Sequence, residues 1–292
     1  MLILTQSETK EHQKQLKKDC EKELFADLDN SKALFNTFFP KAKIKVQNQD
    51  EPKPVSADMV VEYKINEVKS WINHVLEIAV DICDGKVFED IQFKSVRIPP
   101  RIGNRLFYTI LKIFTFGRDL TDNDYYFIYE LSTAANMEGT RVHKIIDQTR
   151  YEVRKNFFNK ILKFLDDDQC YSCAMLLIKA IRADNQIHPA EFKYIENITQ
   201  LLKNDQAKLD KIERECRNLK ELPPFNVDKE IATFLFKYLV EIVMCDGEYD
   251  ARESKFLQEV AQVIGFSKED QDNVIQPVAS SLMVKASLFP KI

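Results

Sequence analysis

The chain has 292 residues, enough for two domains, and its 45% hydrophobic and 30% charged residues exclude a disordered or fibrous polypeptide. Only 6 glycines stand against 20 phenylalanines, which argues against Gly-rich phosphate loops and a turn-dense all-β fold, since both need positive-φ positions. A net charge of −4 gives no general attraction to nucleic acid or anionic lipid.

Residues 1–45 are rich in Lys and Glu with an apolar end and are expected to form amphipathic helix. The apolar stretch at the start is too short for a signal-peptide core. Residues 46–58 (VQNQDEPKPVSAD) are polar with two prolines and are expected to form a linker. A strong helix follows, because Val68, Trp71, Ile72, Val75, Leu76, Ala79, Ile82 and Cys83 recur at the three-and-four spacing of one helical face. It is expected to stop at Asp84-Gly85, where glycine suits a left-handed residue after the last turn. Pro99-Pro100 interrupts the next stretch, and Arg97, Arg101 and Arg105 around it suggest a loop that touches another protein or domain. From Leu106 the pattern is helical almost to the end. In 125–129 it reads mainly as core, with excess aromatic residues on the outer face. The most apolar window, 231–244, carries Lys237 and Glu241 and is a buried helix, not a bilayer span. The expected organisation is a helical segment 1–45, a linker 46–58, a helical domain 59–165 and a second helical domain 166–292. A cytoplasmic location is the expectation.

Chemistry-bearing residues are scattered. The six cysteines read as reduced core thiols; Cys170-x-x-Cys173 has no second pair to complete a zinc site and no βαβ context for redox work. None of His12, His74, His143 and His188 belongs to a paired ligand motif. No nucleophile elbow or P-loop occurs.

The informative feature is an internal repeat. LLIKAIRADNQIHPAEFKYIENITQLL, from Leu176, aligns with YLVEIVMCDGEYDARESKFLQEVAQVI, from Tyr238. Asp184 pairs with Asp246 and Glu191 with Glu253, each 62 residues on (246 less 184, 253 less 191), and the apolar positions keep that separation. A weaker third copy lies upstream, where Leu120, Asp124, Phe127 and Leu131 match Ile187, Glu191, Tyr194 and Ile198 at a separation of 67 (187 less 120). Each copy reads as helix, turn and capped second helix. Asp250 with Glu253, and Thr121 with Asp124, form capping boxes; His188 with Pro189 begins the middle copy. Leu120 and Tyr125 are placed as a hydrophobic staple.

A helix ending at Asp-Gly or Asp-Asn, an apolar residue two positions on, and Glu six positions on, occurring twice, resembles the TerB-like family. The resemblance covers about residues 167–276, with Asn185 in place of glycine in the first unit. It implies an all-α bundle of repeated helix–turn–helix units with an acidic cluster where the repeats meet, here Asp184, Glu191, Asp246 and Glu253 with Glu248 and Asp250 nearby. It also implies a role in tellurite, metal or envelope stress, or in a phage-defence assembly. The partner would be a protein, an ATPase-containing complex being one such assembly, with no catalytic activity established for the class.

Two readings of the acidic cluster stand. The carboxylates can hold a hard divalent cation, Ca²⁺ or Mg²⁺, with His188 near enough to join. Alternatively they cap the second helices and complement their positive N-termini. An EF-hand is excluded: counting from Asp246, the positions that need Gly and Glu hold Ala251 and Leu257. The expected function is a non-catalytic interaction or sensing module, against a metal-dependent hydrolase or a pure scaffold.

Overall fold

A computed structural model describes residues 6–30, 57–86, 93–116, 118–183, 194, 198–199, 201–203, 205–218, 221–244 and 249–289. Among them the protein is all-α, with no strand. The helices are α1 (Gln6–Asn30), α2 (Ala57–Cys83), α3 (Pro100–Thr115), α4 (Asp122–Ala134), α5 (Gly139–Ile161), α6 (Asp167–Ile181), α7 (Gln206–Asn218), α8 (Lys229–Val243), α9 (Ala251–Val263) and α10 (Lys268–Leu288), with a short 3₁₀ turn at Leu162–Phe164. The chain divides into two compact units, Ile3–Val153 with Val284–Ile292, and Arg154–Met283. Most of the expected linker lies outside the described residues; its last two positions, Ala57 and Asp58, already belong to α2.

In the first unit α1, α2 and α3 pack on one another. Every apolar residue predicted for the inner face of α2 from Val68 to Ile82 is buried, with Ile72, Val75, Leu76 and Ala79 fully so; each of the larger ones stabilises the fold by about 1.5–3 kcal/mol. The helix ends as expected: Gly85 has φ +91°, and the amides of Gly85 and Lys86 close the last turn onto the carbonyls of Ile82 and Asp81. The proline pair does not make a loop. Pro99 is the N-cap and Pro100 the first helical residue of α3, where a missing N–H costs nothing. Arg101 and Arg105 thus sit on a helix and reach Asp27 of α1, at 3.9 and 2.7 Å, while Arg97 is exposed. These two arginines clamp α1 onto α3 within one unit, which corrects the loop reading.

In the second unit α6 packs on α7 and α8, and α9 on α8 and α6. Its core centres on Leu176, Leu177, Leu239, Ile242, Leu257 and Val260. Tyr238 anchors an aromatic group, stacked on Phe158 at 5.3 Å and edge-on to Tyr194 at 5.4 Å. Arg154 forks over the buried Glu241 carboxylate, with nitrogen–oxygen distances of 2.8 and 3.1 Å.

The repeat extends beyond a helix pair: three helices are described in the first copy (α3, α4, α5) and in the third (α8, α9, α10), and the first and third of them, α6 and α7, in the second. Shifting α6 by 62 residues reproduces both ends of α8, and the same shift carries the start of α7 onto the start of α10. Shifting α6 back by 67 gives the start of α3 and, within one residue, its end; α4 and α5 fall on α9 and α10 at the summed separation of 129. The inner faces coincide as well. Leu106, Phe107, Ile110, Leu111 and Phe114 correspond to Cys173, Ala174, Leu177, Ile178 and Ile181, and to Leu235, Phe236, Leu239, Val240 and Val243, all buried. Ahead of the third helix each copy places one residue in the left-handed region: Asn136 at φ +52°, Lys203 at +55° and Gly265 at +74°. One position earlier the amides of Ala135, Leu202 and Ile264 each donate to a carbonyl four residues back.

Candidate functional site

The acidic corner of the first copy lies between the end of α3 at Thr115 and the start of α4 at Asp122. In the third copy the described part of that corner is the start of α9. The Asp250 carboxylate accepts from the amides of Arg252 and Glu253 at 2.7 and 2.9 Å, and the Asp250 amide donates to Glu253 Oε2 at 2.7 Å. This is the capping box expected from the spacing, and it satisfies amides that a helix start leaves without partners. The Glu253 amide, then the Arg252 side chain 2.9 Å away, hold the Asp250 carboxyl below the usual carboxylate range. Glu253 is buried.

Asp184, Glu191, Asp246 and Glu248 lie outside the described residues, as do His188, Pro189, Ile187 and Phe192. Of the six predicted ligands, Asp250 and Glu253 are therefore the pair whose contacts are described, and those contacts form a helix cap. Among the described residues no group of three His, Cys, Asp or Glu side chains comes together to hold a metal ion.

The first copy shows the same cap with a further partner. Thr121 accepts from the Asp124 amide at 3.3 Å, and Asp124 Oδ2 accepts from the Thr121 amide at 2.7 Å. Leu120 and Tyr125, the proposed staple, are both buried. Asp124 is fully buried, and Arg118 grips it through two nitrogens at 2.5 and 2.8 Å. Arg118 also donates to Cys83 Sγ at 3.4 Å and lies over the Phe114 ring. Burial alone would lower the Arg118 guanidinium, but the hydrogen-bonded Asp124 outweighs it and raises the group above its ordinary value. The repeat alignment places Arg118 at the position of Asn185 and Gly247. Sequence reasoning passed over this arginine because no short-range rule couples residues six apart at a helix entry.

The remaining candidates behave as structural groups. Burial raises the thiols of Cys83, Cys170 and Cys173, which opposes thiolate chemistry, and both members of the Cys-x-x-Cys pair are free. In the 125–129 run Tyr125, Phe127 and Ile128 are fully buried, whereas Tyr126 and Tyr129 are exposed. A polar group that the sequence did not flag surrounds His143. Its Nδ1 lies 2.9 Å from the Phe289 carbonyl, and its Nε2 lies 3.2 Å from Asp147, which also pairs with Lys285. Burial would raise the Asp147 carboxyl, but His143 and Lys285 outweigh it and hold it well below the usual carboxylate range.

No described helix is long and apolar enough to cross a membrane. No curated protein and no solved structure matches the chain. Residues 170–276 match the family model described as Tellurite resistance protein TerB, so the C-terminal part of the chain, over the second and third copies, is a TerB-like domain.

Proposed function

We propose that the chain is a non-catalytic helical module that docks a protein partner in a bacterial stress-response or phage-defence assembly, an ATPase-containing complex being the partner class. A divalent cation, Ca²⁺ or Mg²⁺, at the acidic corners of the second and third copies would tune it, with Asp184, Glu191 and Asp246 as ligands and Glu248 nearby. The cytoplasm is the compartment in this reading. The observation that carries it is the family match over a repeat that keeps an acidic residue at the same two steps of both copies. The match itself supports the coarser statement, a helical module of the tellurite-resistance type. Against a hydrolase stands the use of Glu253 at the start of α9, where the Asp250 amide commits one of its two carboxylate oxygens to the helix cap.

The test is a thermal melt of the chelated full chain with and without added Ca²⁺ or Mg²⁺, beside Asp246→Asn. A ligand that binds the native state alone must raise the midpoint. A rise with one of the two ions, lost in the variant, is expected; a midpoint that ignores both ions sinks the cation part. Turnover of phosphate-ester or peptide substrates that requires the ion and is lost in the variant would sink the non-catalytic part.

A further inference from the structure

We propose that α1 is a displaceable occupant of a helix-binding groove on α2 and α3, and that a protein partner docks there through an amphipathic helix of α1's own chemistry. The proposal rests on the protein-docking reading above and names what the partner presents. α1 runs antiparallel to both helices it covers. Gln13 near its start donates to the Ile113 carbonyl near the end of α3 at 3.0 Å, and Asp27 near its end meets Arg105 near the start of α3 at 2.7 Å. Lys10 and Lys17 likewise reach Asp84 and Glu77 toward the end of α2, while Asp29 reaches Lys69 earlier in that helix.

Two layers hold α1 in place. The inner layer is one apolar row at four-residue spacing, Cys20, Leu24 and Leu28, with the partly buried Leu16 ahead of it. The outer layer is a rim of charges in a fixed order. Lysines of the first half face carboxylates, and Glu23, Asp27 and Asp29 of the second half face Arg101, Arg105 and Lys69. Ion pairs this exposed add little to stability. They do fix the direction of the helix and reject one with the opposite order of charge.

The same two layers make α1 the element that leaves. Among the described residues α2 buries nine apolar side chains and α1 three. An element with few buried apolar contacts opens before the rest of its unit. Twenty-six residues separate Asn30 from Ala57 (57 less 31), enough chain to release α1 without moving α2. A groove that takes a helix reads apolar anchors on one face and charge at its rims. The partner's helix therefore carries apolar residues four apart, lysines in its first half and carboxylates in its second.

The probe is a fluorescein-labelled peptide of residues 6–30, titrated by anisotropy into the full chain and into Leu24→Asp. That variant puts a carboxylate at a fully buried point of the row and undocks the resident helix. Because the resident helix competes at high effective concentration, the variant is expected to bind the peptide at least roughly ten-fold more tightly than the parent. Emission of Trp71, buried on α2, reports whether the first unit stays folded. A folded variant that binds no more tightly overturns the proposal. So does a variant whose first unit unfolds, since a helix the fold requires is not a displaceable occupant. The peptide with Glu23→Lys and Asp27→Lys should bind about ten-fold more weakly, and equal binding overturns the charge order assigned to the partner. None of these titrations needs an added ion or a substrate, so failure here is distinct from failure of the melt or turnover tests above.

Discussion

The corner of the first copy and the corner of the third use one capping geometry with different charge balance. At the start of α4 the buried Asp124 is neutralised by Arg118, from just ahead of the helix. At the start of α9 the residue in the arginine's place is Gly247, and the acid at the Asp124 position is Glu253, bonded to the Asp250 amide. A helix start needs an acceptor for its amides, and both corners supply one. In the first copy an arginine ahead of the helix grips the buried Asp124, and in the third Arg252 meets the cap residue Asp250. A cap and an ion pair are thus separable layers of the same turn: the cap is common to both corners, and the acid that meets an arginine differs, Asp124 inside the helix at one and the cap residue Asp250 at the other.

Substitutions at the two corners can break this contrast. The largest effect is expected from Arg118→Met, which leaves Asp124 buried without its cation and destabilises the first unit by about 3 kcal/mol. Urea unfolding followed by Trp71, the sole tryptophan and a buried residue of α2, reads that unit directly. A loss below about 1 kcal/mol, the range of an exposed pair, would show that the arginine is dispensable. Thr121→Ala removes the cap and keeps the ion pair, so about 1 kcal/mol is expected by the same readout. A Thr121→Ala loss equal to that of Arg118→Met would deny that the layers are separable.

The smallest effect concerns acid titration in the second unit. Asp250 is held below the usual range by the Glu253 amide, and Asp270, at about 2, by Ser267 and then Lys229. A carboxyl depressed in the folded state contributes stability that is complete above its unfolded value, about pH 4, and is lost as pH falls through the folded value. Asp270→Asn keeps an acceptor without the charge. Its unfolding midpoint should lie below the parent's at neutral pH and converge on it as pH falls toward 2. A gap that is constant with pH would show that the charge is not what matters.

Local rules made much of this legible. The buried face of α2, its stop at Gly85, and the boxes at Thr121 and Asp250 each depend on residues within one or two turns. The repeat followed from constant separations, though sequence showed a helix pair where the structure shows three helices. The third helices differ too much in side chains to align, and they correspond through backbone conformation at Asn136, Lys203 and Gly265. Pro99-Pro100 was read as a break, although proline at a first helical position is itself a start signal. The His143 group was out of reach for another reason. Its partners lie 138 and 146 residues away along the chain, and only folding brings them together. As for the acidic cluster, Asp184, Glu191, Asp246 and Glu248 fall outside the described residues, so the structure speaks for Asp250 and Glu253.

The left-handed residue before each third helix sets how the unit tolerates change. Asparagine, lysine and glycine all serve there, so side-chain identity is loosely specified. Length is not. One residue added at that joint would rotate the following helix by about 100°. In the middle copy that would swing Leu209, Ile212 and Cys216 off the core and carry charged neighbours inward. A point change at these joints carries the cost of a side chain at positive φ, about 1–2 kcal/mol, whereas a single-codon insertion there should act as a null allele.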